Sequence, residues 1–316
     1  MTVALGLLAA AVLIGVFGPM YLHRSVSPRI HPGSALTGWI ASVLAVLATA
    51  AVGATLLSMP YASSTDGLIG MATACINTGQ HFWETILRVS GITMVLGVAL
   101  RTAFVAVRLR SQDSARRYRH LAALKFLGES DPGKRDSLFW LHEDTPVAYS
   151  VGGRQGAIVA TTGITRLSTE TQAAILAHER AHLRGRHHGL VLLVEVLARA
   201  LPFVPLFRAA PPVVRVLAEL SADAAAARSC GPDSVRAALR AVGGVSVPAA
   251  ALAMSRQAVE LRLRWLDPTR EAPRNGMRHR AGYATAVLTS LSPAVLGIGL
   301  ITGFVLLLCL SIGSPM

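Results

Sequence analysis

Lysine is almost missing from this chain. Lys125 and Lys134 are the only two among 30 basic residues, so the positive charge is carried by arginine. Acids are scarce as well, at 17, which leaves a net charge of +13. Charged residues make up 15% of the 316 positions, against about 25% in an ordinary soluble domain. Aromatic residues are 5% and cysteines three, Cys75, Cys230 and Cys309, with no CxxC pair among them. That usage gives no disulfide framework and no cysteine metal knuckle. The shortage of aromatics also weighs against nucleic-acid binding, because the arginines at 256, 262, 264, 270, 274, 278 and 280 have only Trp265 interleaved among them for stacking. Most of these arginines precede an apolar run, where lipid headgroups account for them.

The missing charge is concentrated in long apolar runs. Val3–Leu22, Ala35–Met59 and Val89–Val107 contain one charged residue in total, Arg101, and no charge follows Arg280. About 20 apolar residues span a bilayer as a helix. The first run has no basic segment before it and reads as a retained helix rather than a leader. Arg101 is expected to snorkel toward a nearby membrane surface. The core of the last run is Leu291–Ile312. Arg24 and Arg29 follow the first run, Asp66 and Glu84 lie between the second and third, and Arg108, Arg110, Arg116, Arg117 and Arg119 follow the third. The positive-inside rule then puts the N-terminus outside and the region after 108 in the cytoplasm.

The fold class expected is a mainly α membrane protein. It has about four transmembrane helices and an inserted cytoplasmic α+β zincin-like domain. Residues 1–107 hold three helices, 108–282 the inserted domain, and 283–316 the last helix, with both termini outside. Within the domain, Tyr118–Gly128 reads as helical and Pro146–Val151 with Ala157–Thr162 as a β-hairpin about Gly152 and Gly153. Thr169–Arg184 reads as a helix with a capping box of Thr169 and Gln172 and a stop at Gly185. Asp267–Arg280 reads as a basic loop at the membrane face.

The sequence His178-Glu179-Arg180-Ala181-His182 is an HExxH motif inside that helix. Positions i and i+4 share a helix face, so both imidazoles reach one Zn2+ while Glu179 stands beside them as general base. A catalytic zinc takes a third protein ligand and keeps one position open. Glu219, in Ala218-Glu219-Leu220-Ser221-Ala222-Asp223, supplies it. Asp223, one turn further on, is placed to fix the orientation of a ligand histidine. His187 and His188 follow the helix end. Two readings stay open for them: a second electrophile for the oxyanion, or polar residues at the membrane interface. His142-Glu143-Asp144 reads as a loop.

HExxH followed by ExxxD, preceded by Pro146-Val147-Ala148-Tyr149, Ile158–Ile164 and Leu167-Ser168, resembles the gluzincin-type membrane peptidases. These are the HtpX and CAAX-prenyl-protease group and the BlaR/MecR sensor proteases, and the likeness spans about 140–230. The helix order is most similar to that of the BlaR/MecR group. The resemblance implies a zinc metalloendopeptidase with His178, His182 and Glu219 as ligands and Glu179 as base. It implies a protein or peptide substrate, such as a cytoplasmic transcriptional repressor or a damaged membrane protein. No penicillin-binding domain follows the last helix, so direct β-lactam sensing is not expected. The same residues also admit a catalytically silent, zinc-stabilised signalling scaffold, although such a scaffold has no use for Glu179.

Topology is constrained by the metal. A single crossing by the apolar segment 189–207 would separate Glu219 from the histidines by about 30 Å of hydrocarbon. The segment is therefore expected to turn back as a short hairpin or to lie at the interface, with Glu195 and Arg199 paired at i, i+4. Ala157–Thr162 is expected to offer an edge to which an extended substrate adds as a strand.

Overall fold

The computed structural model describes residues 2–23, 31–58, 78–127, 129–130, 137–153, 156–243 and 259–266. The expected last helix, the basic loop at 267–280, Cys75 and Cys309 lie outside the described residues.

Helices α1 (Thr2–Leu22) and α2 (Pro32–Ser58) pack side by side. Pro32 opens α2, where its missing N–H costs nothing, and His31 Nδ1 accepts from the backbone N–H of Gly33 at 3.2 Å. Inside the apolar stretch, Thr37 and Ser42 return their hydroxyls to the carbonyls four residues back, which hides the polar groups. Helix α3 (Thr78–Leu127) runs unbroken for 50 residues. It joins the third apolar run and the separate helix expected at 118–128 into one rod, because no proline or glycine-rich break falls between them.

Pro32–Leu56 and Val89–Arg119 are long and apolar enough to cross a membrane. The apolar part of α1, Gly6–Met20, is shorter than a full span. Val12, Val16, Phe17 and Met20 on α1, and Val89, Met94, Leu100, Phe104 and Val107 on α3, are exposed.

The sheet has the order β1-β2-β4-β3, from β1 (Glu129–Ser130), β2 (Ser137–Leu141), β3 (Ala148–Val151) and β4 (Ala157–Thr161). β3 and β4 form the expected antiparallel hairpin, with Tyr149 opposite Val159. β4 is not an edge. It is buried throughout and pairs in parallel with β2 on its other side. The β-type run Ser137–Leu141, unread as a strand in the sequence, supplies that partner, and the free edge passes to β3. The loop at His142-Glu143-Asp144 serves packing. The backbone of Gly163 donates to the Glu143 carbonyl at 2.8 Å, and a Cβ on Gly163 would meet the Asp144 carbonyl oxygen at 2.2 Å.

After the 3-10 turn Thr162–Arg166 come α4 (Thr169–Arg184), α5 (His187–Ala200), α6 (Pro205–Cys230) and α7 (Pro232–Gly243), with a helical turn at 259–265. The cap of α4 differs from the expected box. Ser168 Oγ accepts from the Thr171 N–H, and Gln172 Nε2 donates back to the carbonyls of Leu167 and Thr165.

Of the two options for 189–207, the chain takes the turn: α5 and α6 form a helical hairpin closed by Leu201–Val204. The hairpin buries Leu197, Leu201, Leu206, Phe207 and Val214 in one core with Trp39 and Val43 of α2. Arg101 reaches across to the end of α5. Its Nε donates to the carbonyl of Ala200 at 2.6 Å, and so satisfies the C-terminal end of α5. Glu195 pairs with Arg199 as expected, at 3.6 Å, and also with Arg215 across the hairpin.

A second core beneath the sheet joins Ala160, Ile164, Ala174, Ile175, Ala226, Val235 and Leu239, and fixes α4 against β4, α6 and α7.

Candidate metal centre

The two legs of the hairpin set the site. From His187 to Ala200 the chain travels about 20 Å at 1.5 Å per residue, and from Pro205 to Glu219 it returns by the same distance. Glu219 therefore stands level with the end of α4, although it lies far from HExxH in sequence. Nε2 of His178 and Nε2 of His182 are 3.1 Å apart. The Glu219 carboxylate lies 3.5 Å from the first and 3.4 Å from the second. Donor atoms of the three side chains all fall within 4.8 Å of one another, a group that could hold a metal ion.

Asp223, 2% exposed, lies one turn beyond Glu219 on α6. Its Oδ1 is 2.9 Å from Nδ1 of His178, off the line of a well-aligned hydrogen bond. Arg262, one of the basic residues expected at the membrane face, belongs to this site instead. It donates to both oxygens of Asp223, at 2.6 and 2.7 Å, and its Nη1 lies 3.2 Å from Glu219. No spacing rule links Arg262 to Asp223, and the packing of 259–265 against α6 brings them together. The sequence signal available was an arginine between two leucines, in Glu260-Leu261-Arg262-Leu263-Arg264, which does not single it out from its charged neighbours.

The remaining histidines separate. His187 is 5% exposed, and its Nδ1 is 3.0 Å from Nδ1 of His182, so neither reading made from sequence fits it. His188 faces the cleft, with Nε2 3.3 Å from Ser150 Oγ on β3. The cleft, about 950 Å³, runs from His182, His188 and Glu219 along the hairpin to Glu195 and Arg215. Glu179 borders a second cavity of about 240 Å³ with His178, Glu219 and Arg262.

The electrostatics favour a cation. Burial opposes ionisation of Glu219, yet contact with His178 and the Arg262 charge outweigh it and hold the carboxyl down to about 2. Burial also opposes the charged form of His178, but Asp223 and Glu219 raise it to about 9. His182, dominated by burial, drops to about 4. Burial raises Glu179 from its ordinary value. With Glu179 ionised and His178 neutral, as a metal ligand must be, the cluster sets three carboxylates against the one guanidinium of Arg262, an excess of two negative charges. A divalent cation neutralises that excess, and one carboxylate with two imidazoles is a donor set that suits zinc.

No solved structure matches the chain. Residues 109–258, which contain His178, His182 and Glu219, match the model of Peptidase family M48.

Proposed function

We propose that the chain is a membrane-embedded zinc endopeptidase whose His178, His182 and Glu219 hold the metal and whose Glu179 is the general base. The observation that carries this reading is the convergence of the three donor side chains within 4.8 Å. When bound, zinc supplies a Lewis acid that polarises a peptide carbonyl and makes water acidic enough to attack at neutral pH. Glu179 takes the proton from the attacking water and delivers it to the leaving amine. Its buried position, which raises its pKa, brings it closer to the working pH of a base. Asp223 and Arg262 hold His178 and Glu219 in place. His188, on the cleft wall beside Ser150, is a candidate electrophile for an oxyanion.

The substrate is an extended segment of protein that adds to the edge of β3. The Thr161 N–H bonds to the Val147 carbonyl, so the alternation of an antiparallel pair turns the backbone groups of Tyr149 and Val151 toward β4 and those of Ala148 and Ser150 outward. The Ser150 groups face Glu179 and His188, and those of Ala148 stand where a substrate strand would pair.

The exposed apolar side chains of α1 and α3 support a bilayer around the first three helices, since water does not tolerate so large a belt. The arginines that follow the third run support, through the positive-inside rule, a cytoplasmic side for the metal centre. Both substrates implied by the resemblance, a cytoplasmic repressor and a damaged membrane protein, can reach a centre at that surface.

Metal content and casein cleavage of the detergent-purified chain, measured beside Glu179→Gln, test the reading. Zinc in both with cleavage only by the native chain is expected.

A further inference from the structure

We propose that His187 is the positioning residue of His182: its Nδ1 accepts a hydrogen bond from the His182 Nδ1–H and so presents the lone pair of His182 Nε2 to the metal. The inference rests on the metal-centre reading above and adds to it a group outside the ligand set.

Three observations carry it. The turn from α4 into α5 is unusually sharp. Arg186 adopts the left-handed conformation, at φ 49°, and His187 begins the next helix immediately. This folds the His187 ring back over the end of α4, where a side chain at position 185 would stand: a Cβ on Gly185 would lie 2.3 Å from His187 Nε2. The ring is buried and meets His182 nearly at right angles, at 88°, with Nδ1 facing Nδ1 at 3.0 Å.

Two ring nitrogens at that distance share one hydrogen. If the hydrogen sits on His187 Nδ1, neutral His182 carries its own on Nε2 and has no lone pair for a metal. If it sits on His182 Nδ1, Nε2 is free and points at His178 Nε2 and Glu219. Ligation therefore selects the second arrangement, with His187 neutral and its own hydrogen on Nε2. His178 and His182 are thus oriented by different chemistry: a carboxylate, Asp223, beside one, and an imidazole beside the other. In metal sites such outer contacts alter affinity by about 10–100-fold when removed.

The test compares His187→Phe, which keeps the ring volume and removes the acceptor, with His187→Asn, whose amide oxygen stands near the position of Nδ1 and accepts the same bond. The readout is zinc affinity of the full chain in detergent, by competition with a chromophoric chelator, with thermal unfolding of the metal-stripped proteins alongside. A loss of about 10–100-fold in His187→Phe, with His187→Asn within a few-fold of native, is expected. Native affinity in His187→Phe overturns the proposal. So does an equal loss in both variants, because packing rather than acceptance would then be the role. If His187→Phe does not fold, His187→Asn decides alone: retained affinity supports the acceptor and lost affinity removes it. A native chain that binds no zinc under the same conditions overturns the metal centre itself, and the inference with it.

Discussion

Arg262 grips both carboxylate oxygens of Asp223, at 2.6 and 2.7 Å, and the same aspartate stands 2.9 Å from the outer nitrogen of His178. A segment that follows α7 thereby reaches, through Asp223, a proposed metal ligand on α4. Replacing Arg262 with Ala leaves Asp223 buried without its cation. Zinc affinity should fall about tenfold or more, and the fold should lose about 3 kcal/mol. Arg262→Lys restores charge but not the two-pronged geometry, and should recover only part of the affinity. Chelator competition and thermal unfolding measure the two effects, and equal affinity in all three proteins would show that Arg262 has no hold on the centre.

Gly185→Ala separates local propensity from tertiary contact. Alanine is the better helix former by about 1 kcal/mol, so on propensity alone the change is favourable. Here the added methyl would stand 2.3 Å from Nε2 of His187 and must displace that ring. The contact wins, and the variant should be less stable and bind zinc more weakly. A rise in melting temperature with unchanged zinc affinity would contradict this.

Arg101 supplies a cation to the C-terminal carbonyls of α5 from within the third apolar run. Arg101→Leu should destabilise the hairpin by about 2 kcal/mol, the magnitude of a hydrogen bond to a charged group. Arg101→Lys should cost less. Unfolding in detergent reads the difference, and a leucine variant as stable as native would show the bond to be incidental.

The outward backbone of β3 is the place to test substrate pairing. Proline at Ala148 removes an N–H that the sheet does not use and leaves the β3–β4 ladder intact. KM for a peptide substrate should rise several-fold while zinc content stays constant. An unchanged KM would remove strand addition at this edge.

The residues of the centre were legible in the sequence where helical periodicity brings them together. His178 with His182, and Glu219 with Asp223, are each one turn apart, and the requirement for one metal predicted that the apolar segment between them turns back. Contacts set by long-range packing were not legible. Arg262 reaches Asp223 across 39 positions and carries no motif. His187 was misjudged because the turn at Arg186 needs a left-handed backbone that the residue type does not announce. The inner position of β4 is not legible because the hairpin register says nothing of the parallel partner on its far side. The cap of α4 shifted by one residue, within the usual uncertainty of helix boundaries.

The central claim is that Glu179 acts as the base on water at a metal held by His178, His182 and Glu219. The most direct test is zinc content and casein cleavage of the native chain, Glu179→Gln and Glu219→Ala in parallel. The account predicts about one zinc in the native and Glu179→Gln proteins, cleavage reduced about a hundredfold or more in Glu179→Gln, and loss of both zinc and activity in Glu219→Ala. Full zinc in Glu219→Ala, or undiminished cleavage by Glu179→Gln, would contradict it.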